Sequence, residues 1–486
     1  MERTAIISVD GHVRAARATY RDYVERRHLD VFDEWVRSQE ELGVPDQGGV
    51  QPGLDAASQW DSEFRMKDME SQGVVAEVLF PNGVLFEGSP GQDGSAFSGP
   101  ELDRAARMAY NRWLADFCAL APGRRAGQAL ISFDDVEQAV RDIHWARDQG
   151  LGGVMMPALR PGGTFFFDPA LDPVWAACVD VDLPVSQHGG SGVPAYGPQG
   201  FAAIMTLALE HSFYSGRSLW QLILGGVFER FSDLRIAFVE TEADWIAPAI
   251  RKLDRRLDWG DDWTGWAKVL QRQRTFSGRA REYWAANCSS GISPFTIDQI
   301  PLEDVARPSA EYDEFAIGCD NAMFGVDYPH FESIFPGTGE HVENLIGDPH
   351  ITTEVARKIL CENAARVYGF DLGLLHPDID RVGFDLLPGA LAQRGYRFEF
   401  SATEDPRGVV PVVAARGRAR AAVTSPEEGD HELHERGRAG GFTGESLGCG
   451  WSGGHRTRVR RGRGADRRGN DRGGGVTLGR TGIGLR

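Results

Sequence analysis

The sequence is poor in the features that mark several common classes of protein. Six cysteines are scattered over 486 residues, and no two of them form a CxxC pair. This spacing argues against a disulfide framework and against a cysteine-based zinc site. No apolar run reaches the roughly 18 to 20 residues that a membrane helix needs, and no basic segment followed by an apolar stretch opens the chain. We therefore expect a cytoplasmic protein with no membrane partner.

Positive charge is also scarce over most of the chain. The net charge is −18, which argues against nucleic-acid binding through the surface of the main body. From Asp405 to the end, however, the chain carries 16 arginines against nine acidic residues. This stretch is rich in glycine and has too few apolar residues to offset the entropy of ordering. We predict a disordered tail over 401–486 and interpret it as an extension rather than as an RNA-binding arm.

Short apolar segments alternate with helical periodicity over residues 1–400. The segments have the β-branched, apolar composition of strands that are covered on both faces. They are Ala5–Asp10, Val74–Phe80, Ala126–Ser132, Gly153–Pro157, Leu183–His188, Arg235–Glu240, Tyr283–Cys288 and Met323–Asp327. The predicted helices between them include Pro100–Ala119, Asp135–Gln149, Asp172–Asp180 and Ser218–Arg230. Apolar residues recur in these helices at the spacing of one helix face.

This alternation predicts an α/β fold, a (β/α)₈ TIM barrel that forms a single domain over 1–400. Long loops at 188–212 and 289–321 are expected at the C-terminal ends of the strands, where barrel enzymes bind their substrates. An open, doubly wound sheet is the alternative. The sequence lacks a GxGxxG turn after its first strand, which favours the barrel.

Potential metal ligands follow three of the predicted strands. Asp10 and His12 stand two residues apart at the end of the first strand, a spacing that points both side chains to one face. His188 ends the fifth strand, and Asp327 ends the last strand just before Tyr328-Pro329. Each signal alone has a structural explanation. The Asp10–His12 pair could arise by chance, His188 could be an exposed loop histidine, and Asp327 could cap a turn. Together they predict convergence above the barrel, because all strands of a barrel open onto the same face.

In combination, the motifs resemble the amidohydrolase superfamily. The resemblance is to the branch called amidohydrolase family 2, which includes the amino-carboxymuconate-semialdehyde decarboxylase-like proteins, and it covers Ala5 to Leu372. The segments that carry it are SVDGHV, MKDMESQGVVAEVLFPN, AYNRWLADFCALAPGRRAG, LPVSQHGG, GGVFERFSDLRIAFVETEADWIAP, FGVDYPHFES and KILCENAARVYG. No single segment is specific to this family, but the combination of all of them, in this order and at these separations, is.

The resemblance implies a barrel that binds a divalent cation, with zinc expected first and manganese or iron as alternatives. The motifs place the family's metal-ligand positions at Asp10, His12, His188 and Asp327. The resemblance also implies that Asp327 transfers a proton. Binuclear relatives bridge their metals with a modified lysine at the fourth strand. The corresponding GGVMMP segment contains no lysine, and the whole chain has only four. One metal ion is therefore expected.

Four further residues are candidates for the site. Many relatives have a catalytic histidine at the end of the sixth strand, where this chain has Glu240. That glutamate is expected to act as acid, base or extra ligand, with a salt-bridged structural carboxylate as the alternative. Arg217 and His211 are candidates for binding substrate, Arg217 by pairing with a carboxylate. A surface position is the alternative for Arg217. His330, three residues beyond Asp327, is a candidate for orienting it or its loop, with a structural role as the favoured alternative.

The expected function is hydrolysis of a small organic molecule by a metal-activated water, with Asp327 taking its proton. The alternative is metal-dependent, non-oxidative decarboxylation of an aromatic or unsaturated acid. A third hypothesis is a barrel that binds metal without catalysis, although loss of some ligand positions would be expected in that case. The expected partner is a small-molecule substrate, and a homodimer is one possible assembly.

Overall fold

The computed structural model describes residues 3–44, 46, 50–83, 99–158, 163–189, 200–258, 265, 268–269, 272–292, 302–306 and 317–387. The predicted tail, 401–486, lies outside these residues, so the tail and the boundary of the barrel domain stay predictions. Within the described ranges, no helix is both long and apolar enough to cross a membrane. The cytoplasmic location also stays a prediction.

Eight parallel strands run around a barrel in the order of the sequence. They are β1 (Ile6–Ser8), β3 (Val74–Pro81), β4 (Arg125–Leu130), β5 (Gly153–Met156), β6 (Val185–His188), β7 (Ile236–Val239), β8 (Cys288–Ile292) and β9 (Ala322–Phe324). A two-residue strand, β2 (His12–Val13), continues β1 and pairs with the end of β3. The ring is closed where the Val9 amide donates to the Phe324 carbonyl at 3.0 Å. The predicted TIM barrel is confirmed.

Helices cover the outside of the barrel. They are Leu29–Glu41, Ser62–Ser71, Pro100–Ala119, Val136–Asp148, Asp172–Asp180, Phe201–Leu224, Val227–Arg230, Ile246–Asp258, Ala280–Asn287, Leu302–Val305, Thr338–Gly347, Thr353–Arg357, Asn363–Tyr368 and Leu372–Val382, with a π-helical turn at Lys358–Glu362. Their starts follow local sequence signals. Pro100 occupies the first turn of its helix, and the Asp135 carboxylate accepts from the Gln138 amide at 2.9 Å, which satisfies an amide that the helix leaves unbonded.

The strand wall separates two apolar clusters. One lies between strands and helices and includes Ile6, Trp175 and Trp284. The other fills the barrel and includes Ile7 and Val9. The alternation of Ile6 and Ile7 follows from the two-residue period of a strand. Each such side chain stabilises the fold by about 1.5–3 kcal/mol when it is fully buried, so the barrel is a packed support for the residues at its mouth.

The predicted strand Tyr283–Cys288 is wrong. Residues Ala280–Asn287 form a helix, and the strand follows it at Cys288–Ile292. Trp284 has the large apolar side chain that the pattern assigned to a strand, but it packs in the outer cluster from this helix. The strand itself, CSSGI, is buried yet nearly devoid of large apolar side chains. Gly291 is suited to the crowded interior, where an added Cβ would lie 3.2 Å from the Val9 side chain.

The predicted loop at 188–212 and the predicted helix Ser218–Arg230 are also partly wrong. A single helix runs over Phe201–Leu224, so the second half of that loop is helical. A separate short helix follows at Val227–Arg230. The break falls at Gly226, whose φ of 63° lies in the left-handed region that favours glycine. Within the second predicted loop, 289–321, residues 289–292 belong to β8 and Leu302–Val305 is helical.

Candidate metal centre

Five polar side chains lie at the C-terminal ends of strands. Asp10 follows β1, His12 lies in β2, His188 ends β6, Glu240 follows β7 and Asp327 follows β9. All but Glu240 are buried, and Glu240 is partly buried. The barrel therefore brings the four predicted ligands and the predicted catalytic glutamate to the same mouth.

The distances among these side chains are short. His12 Nε2 lies 3.4 Å from Asp10 Oδ1, 3.3 Å from Glu240 Oε2 and 3.2 Å from Asp327 Oδ1. His188 Nε2 lies 3.2 Å from Asp10 Oδ1 and 3.1 Å from Glu240 Oε2. Asp10, His12, His188 and Glu240 thus offer four ligand atoms that all lie within 4.8 Å of one another. A separation of this size is what several ligands of one ion have.

The Nδ1 atoms of both histidines lie within hydrogen-bonding distance of backbone carbonyl oxygens. His12 Nδ1 lies 3.3 Å from the Pro81 carbonyl oxygen, and His188 Nδ1 lies 3.0 Å from that of Gly189. An Nδ1–H that donates to a carbonyl leaves Nε2 with its lone pair free to bind a metal. This arrangement directs both Nε2 atoms into the cluster, as metal-binding histidines require.

Several buried ligand atoms form no well-aligned hydrogen bond within the described part of the chain. They are His12 Nε2, Glu240 Oε2 and both carboxylate oxygens of Asp327. Buried polar atoms are otherwise almost always satisfied, so each of these atoms calls for a partner. Imidazole nitrogens and carboxylate oxygens are suitable ligands for a divalent cation. The residues therefore fit one, although the role of each as a ligand stays a prediction.

In the metal-free protein, the contacts between the imidazole and carboxylate groups of the cluster determine which of them are protonated. Burial opposes the charged form of His12, yet the surrounding carboxylates, Asp10 first, raise its pKa well above the usual value. Burial also opposes charging of His188, but Glu240 and Asp10 raise its pKa to about 10. Although burial alone raises the pKa of a carboxyl group, the two imidazoles lower that of Asp10 to about 2 and that of Glu240 well below its usual range. A bound cation would replace the imidazole protons.

Backbone conformation at the mouth is unusual at two of these positions. Glu240 has a φ of 50° and Asp327 a φ of 59°, both in the left-handed region. Residues other than glycine adopt this region at a cost of order 1–3 kcal/mol, and such residues concentrate at functional sites. The turn after each strand aims these carboxylates at the cluster. This cost supports a functional role for Glu240 rather than a purely structural one.

His330 contacts the cluster directly. Its Nδ1 lies 2.9 Å from Asp327 Oδ1, its Nε2 lies 3.2 Å from Asn82 Oδ1, and its ring stacks on that of His12 with centroids 3.8 Å apart. His330 also forms a second group of four possible ligands with His12, Glu240 and Asp327. The predicted role of orienting Asp327 agrees with this geometry.

Sequence reasoning missed a buried ion pair beneath the site. Arg65 donates from Nε and Nη2 to the Glu77 carboxylate at 2.8–3.0 Å. Its Nη1 donates to the His12 carbonyl at 2.9 Å, and its Nη2 to the Tyr328 carbonyl at 3.3 Å. Arg65 therefore ties together the two chain segments that carry His12 and Asp327. The signal in the sequence was a glutamate in the middle of the apolar strand VVAEVLF.

The two predicted substrate-binding residues are not brought to the cluster by any described contact. Arg217 lies on the helix Phe201–Leu224 and lines a separate cavity of about 530 Å³ with residues such as Phe165 and Trp220. The side chain of His211 lies outside the described residues. Both roles stay predictions.

Comparison with known proteins gives matches of two kinds. A model of the amidohydrolase family matches residues 9–370. Among solved structures, an amidohydrolase from Mycobacterium avium subsp. paratuberculosis K-10 has a TM-score of 0.55 and 18% identity, covering 76% of this chain and 99% of that chain. No curated protein matches the chain.

Two decarboxylases are similar at lower scores. The 5-carboxyvanillate decarboxylase from Novosphingobium aromaticivorans, in a structure with bound manganese, has a TM-score of 0.48 and 19% identity, covering 76% of this chain and 97% of that chain. The 2,6-dihydroxybenzoate decarboxylase from Rhizobium has a TM-score of 0.49 and 17% identity, covering 76% and 99%. Similarity at these scores does not decide the reaction of this chain.

Proposed function

Because the chain belongs to the amidohydrolase family of enzymes, we propose that it is a metal-dependent hydrolase of a small organic molecule. The observation that carries the proposal is the Asp327 carboxylate. It is buried at the edge of the cluster, both of its oxygens lack a well-aligned hydrogen bond within the described residues, and one lies 2.9 Å from His330 Nδ1. A carboxylate so placed can accept a proton from water.

We propose that Asp10, His12, His188 and Asp327 hold one divalent cation, with Glu240 as a further ligand. A ligand set of two imidazoles and several carboxylates is best suited to zinc, and manganese and iron(II) are the alternatives. When bound, the ion would polarise a substrate carbonyl and make water more acidic. Asp327 would take the proton from that water, and His330 would hold the Asp327 carboxylate in position.

The charge of the site favours a neutral substrate. Three carboxylates, those of Asp10, Glu240 and Asp327, outweigh the charge of one divalent cation when both imidazoles are neutral. A further carboxylate brought by a substrate would be repelled, because like charges interact strongly in a buried site. Amides, esters and lactones are therefore the expected substrate classes.

Non-oxidative decarboxylation is the second candidate, and Glu332 is the observation that favours it. Glu332 Oε2 is buried and has no hydrogen-bond partner among the described residues. In the metal-free protein, burial and the nearby charges of Asp327 and Glu240 raise the pKa of Glu332 to about 7. A protonated carboxyl group at this position could donate a proton to a carbon atom after CO₂ leaves. In hydrolysis, the same group would protonate the leaving group.

One screen separates the two reactions. Purified protein, with its metal removed and then restored, is assayed against neutral amides, esters and lactones and against aromatic and unsaturated acids. Hydrolysis predicts metal-dependent cleavage of a neutral substrate with oxygen from labelled water in the product. CO₂ release without that label would replace hydrolysis by decarboxylation. Metal-independent turnover, or a metal-loaded protein inactive on every class, would contradict both.

A further inference from the structure

A cavity of about 530 Å³ lies beside the C-terminal half of the helix Phe201–Leu224, which covers the outside of the barrel. Four side chains at positions i, i+3, i+4 and i+7 of this helix line it: Arg217, Trp220, Gln221 and Leu224. Residues at this spacing share one side of a helix. None of the described lining residues belongs to the metal cluster. Pockets for small molecules have volumes of about 300–1,000 Å³, so the Arg217 cavity, as we call it, is large enough to hold one.

Three consecutive phenylalanines build another wall of this cavity. Phe166 points into the core, where it is 2% exposed. Its neighbours Phe165 and Phe167 line the cavity instead, each about half exposed, and their rings stack with centroids 5.0 Å apart. The Phe166 amide donates to the Gln221 side-chain oxygen at 2.8 Å, and a Cβ added at Gly225 would lie 2.5 Å from that of Phe167. These contacts fix the phenylalanine wall, Phe165 with Phe167, against the helix.

Arg217 brings a charge to the cavity that the protein leaves without a partner. The described lining residues include two arginines and no acidic residue. Arg230 is already engaged, because it pairs with both Asp172 oxygens at 2.8 and 2.9 Å and donates to two backbone carbonyls. The Arg217 guanidinium group forms no ion pair or hydrogen bond within the described part of the chain. One turn further along, the side-chain NH₂ group of Gln221 also lacks an acceptor among the described residues. Such neighbouring donors suit a carboxylate, which accepts from a guanidinium through two parallel bonds.

The apolar lining determines what the rest of the anion should be. The rings of the phenylalanine wall and of Trp220, with the Leu224 side chain, offer aromatic and apolar surface beside the arginine. Aromatic rings attract one another when they stack offset or edge to face. An inorganic anion would leave this surface uncovered, and a neutral apolar molecule would leave Arg217 without a partner. A planar aromatic ring that carries one carboxylate satisfies both parts of the cavity.

We propose that the Arg217 cavity binds an aromatic monocarboxylate. The carboxylate accepts from the Arg217 guanidinium and the Gln221 amide, and the ring lies against the phenylalanine wall. Arg217 thereby keeps the carboxylate partner that the sequence predicts for it, but in a cavity separate from the metal cluster. The inference is independent of the proposed reaction, because it uses no residue of that cluster.

Isothermal titration calorimetry of the full chain with 2-naphthoate tests the ligand class. The protein is titrated as purified and again after its metal has been removed, because a carboxylate could also bind at the metal cluster. We expect one site per chain that is insensitive to metal removal. The alcohol 2-naphthylmethanol, which has the same rings without the carboxylate, should bind this site at least about tenfold more weakly. Naphthoate binding that is lost with the metal, equal affinities for the two probes, or no naphthoate binding at millimolar concentrations overturns the proposal.

The variant Arg217→Met tests where the carboxylate binds. It removes the guanidinium group but keeps a long apolar side chain, so naphthoate should bind about 10–100-fold more weakly while 2-naphthylmethanol changes little. The matched control is Arg141→Met, an exposed arginine on the helix Val136–Asp148 that pairs with Glu137, and it should bind naphthoate like the wild type. Equal naphthoate affinities in Arg217→Met and Arg141→Met overturn the proposal. Circular dichroism melting curves show whether each variant is folded.

The double variant Phe165→Leu with Phe167→Leu tests the aromatic wall. Both changes keep apolar bulk but remove the rings, so naphthoate should bind about fivefold more weakly while the aliphatic octanoate changes by less than about twofold. The matched control is Phe201→Leu, an exposed phenylalanine at the other end of the same helix, roughly 24 Å from Arg217 along its axis. This control should leave both affinities unchanged. Equal weakening of naphthoate and octanoate in the double variant overturns the choice of an aromatic ligand.

Discussion

The two halves of the candidate metal centre are held in different ways. Asp10, His12 and Asp327 lie where β1 and β9 meet, and the chain braces this half on several sides. The Ser8 hydroxyl donates to the Asp10 carbonyl at 2.8 Å and accepts from the Val326 amide at 3.0 Å. Arg65 binds the carbonyl oxygens of His12 and Tyr328 from below. This half of the site is fixed through hydrogen bonds to the backbone of both strands.

The half at β6 and β7 is braced differently. Within the described residues, His188 Nδ1 lies 3.0 Å from the carbonyl oxygen of its neighbour Gly189, and the Gly189 amide donates to the Val239 carbonyl at 3.0 Å. The Glu240 side chain is 27% exposed, and its ion-pair contacts within the described residues are with His12 and His188. We call the first the fixed half and the second the looser half, because Glu240 is partly exposed whereas the three side chains of the first half are buried. It follows that variants in the two halves should have different kinds of effect.

The largest effect is expected at Asp327 in the fixed half. Asp327→Asn removes the proposed base while keeping the shape of the side chain, and kcat is expected to fall by about 10²–10⁴. The measurement is steady-state kinetics on the substrate found by the screen, with bound metal determined in parallel. Asp320→Asn, on the surface beside Lys358, is the matched control. Full activity in Asp327→Asn would remove it from the mechanism.

Arg65 is expected to decide the stability of the fixed half. Arg65→Met leaves the buried Glu77 carboxylate with a longer ion pair, 3.6 Å, to Arg125 Nε. Because loss of one partner of a buried pair costs about 3–5 kcal/mol, we expect a cost of up to that size. The measurement is the free energy of unfolding in urea. Arg21→Met breaks the exposed pair with Asp33 and should cost far less, because a surface ion pair contributes little to stability. An equal loss in the two variants would show that Arg65 does not clamp the site.

In the looser half, Glu240→Gln is expected to weaken metal binding by about 10–100-fold, because it removes one carboxylate charge. The metal-free protein should also melt at a lower temperature near neutral pH, because Glu240 helps to raise the pKa of His188. His12→Ala, in the fixed half, should lose far more affinity. Competition with a chelator of known affinity measures both. Equal losses would mean that the two halves hold the metal alike.

A smaller effect is expected in the pH dependence of metal binding. In the metal-free protein, His188 has a pKa of about 10 and the pKa of His12 is also raised. A metal binds the neutral imidazole, so binding releases these protons and affinity should rise between pH 7 and pH 9. Calorimetry in buffers of different ionisation enthalpy counts the released protons. Binding without proton release would contradict the protonated metal-free cluster.

The same pKa values predict the stability of the metal-free protein. His188 has an unfolded pKa near 6.5, below its folded value of about 10. A raised pKa contributes stability below pH 6.5, and that contribution is lost as the pH rises through 10. The melting temperature of metal-free protein should therefore fall between pH 7 and pH 10. His188→Ala should show a shallower fall, and an identical profile would refute this assignment.

The sequence was sufficient to predict the barrel and the convergence of the four proposed ligands. Apolar strands such as Val74–Phe80 are visible as local composition, and residues that end parallel strands must meet at one face. The strand Cys288–Ile292 was missed because the small, polar residues Ser289, Ser290 and Gly291 replace the large apolar side chains that mark a strand.

Contacts between residues far apart in the sequence could not be predicted either. The Arg65 clamp joins residues 12, 65, 77 and 328, and no local pattern reports such a set. The sequence suggested Glu240 as an acid, base or extra ligand. Its position 3.1 Å from His188 and 3.3 Å from His12 favours the ligand, and this preference depends on the turn at φ 50°, which composition does not reveal.

Anomalous X-ray diffraction tests directly whether a single divalent cation binds at the barrel mouth. Crystals of the purified protein are measured at the absorption edge of the metal that elemental analysis finds in it. One anomalous peak per chain is expected, within bonding distance of His12 Nε2, His188 Nε2 and the carboxylates of Asp10 and Asp327. Two peaks at the mouth, or a metal bound elsewhere with none at these four residues, would contradict it.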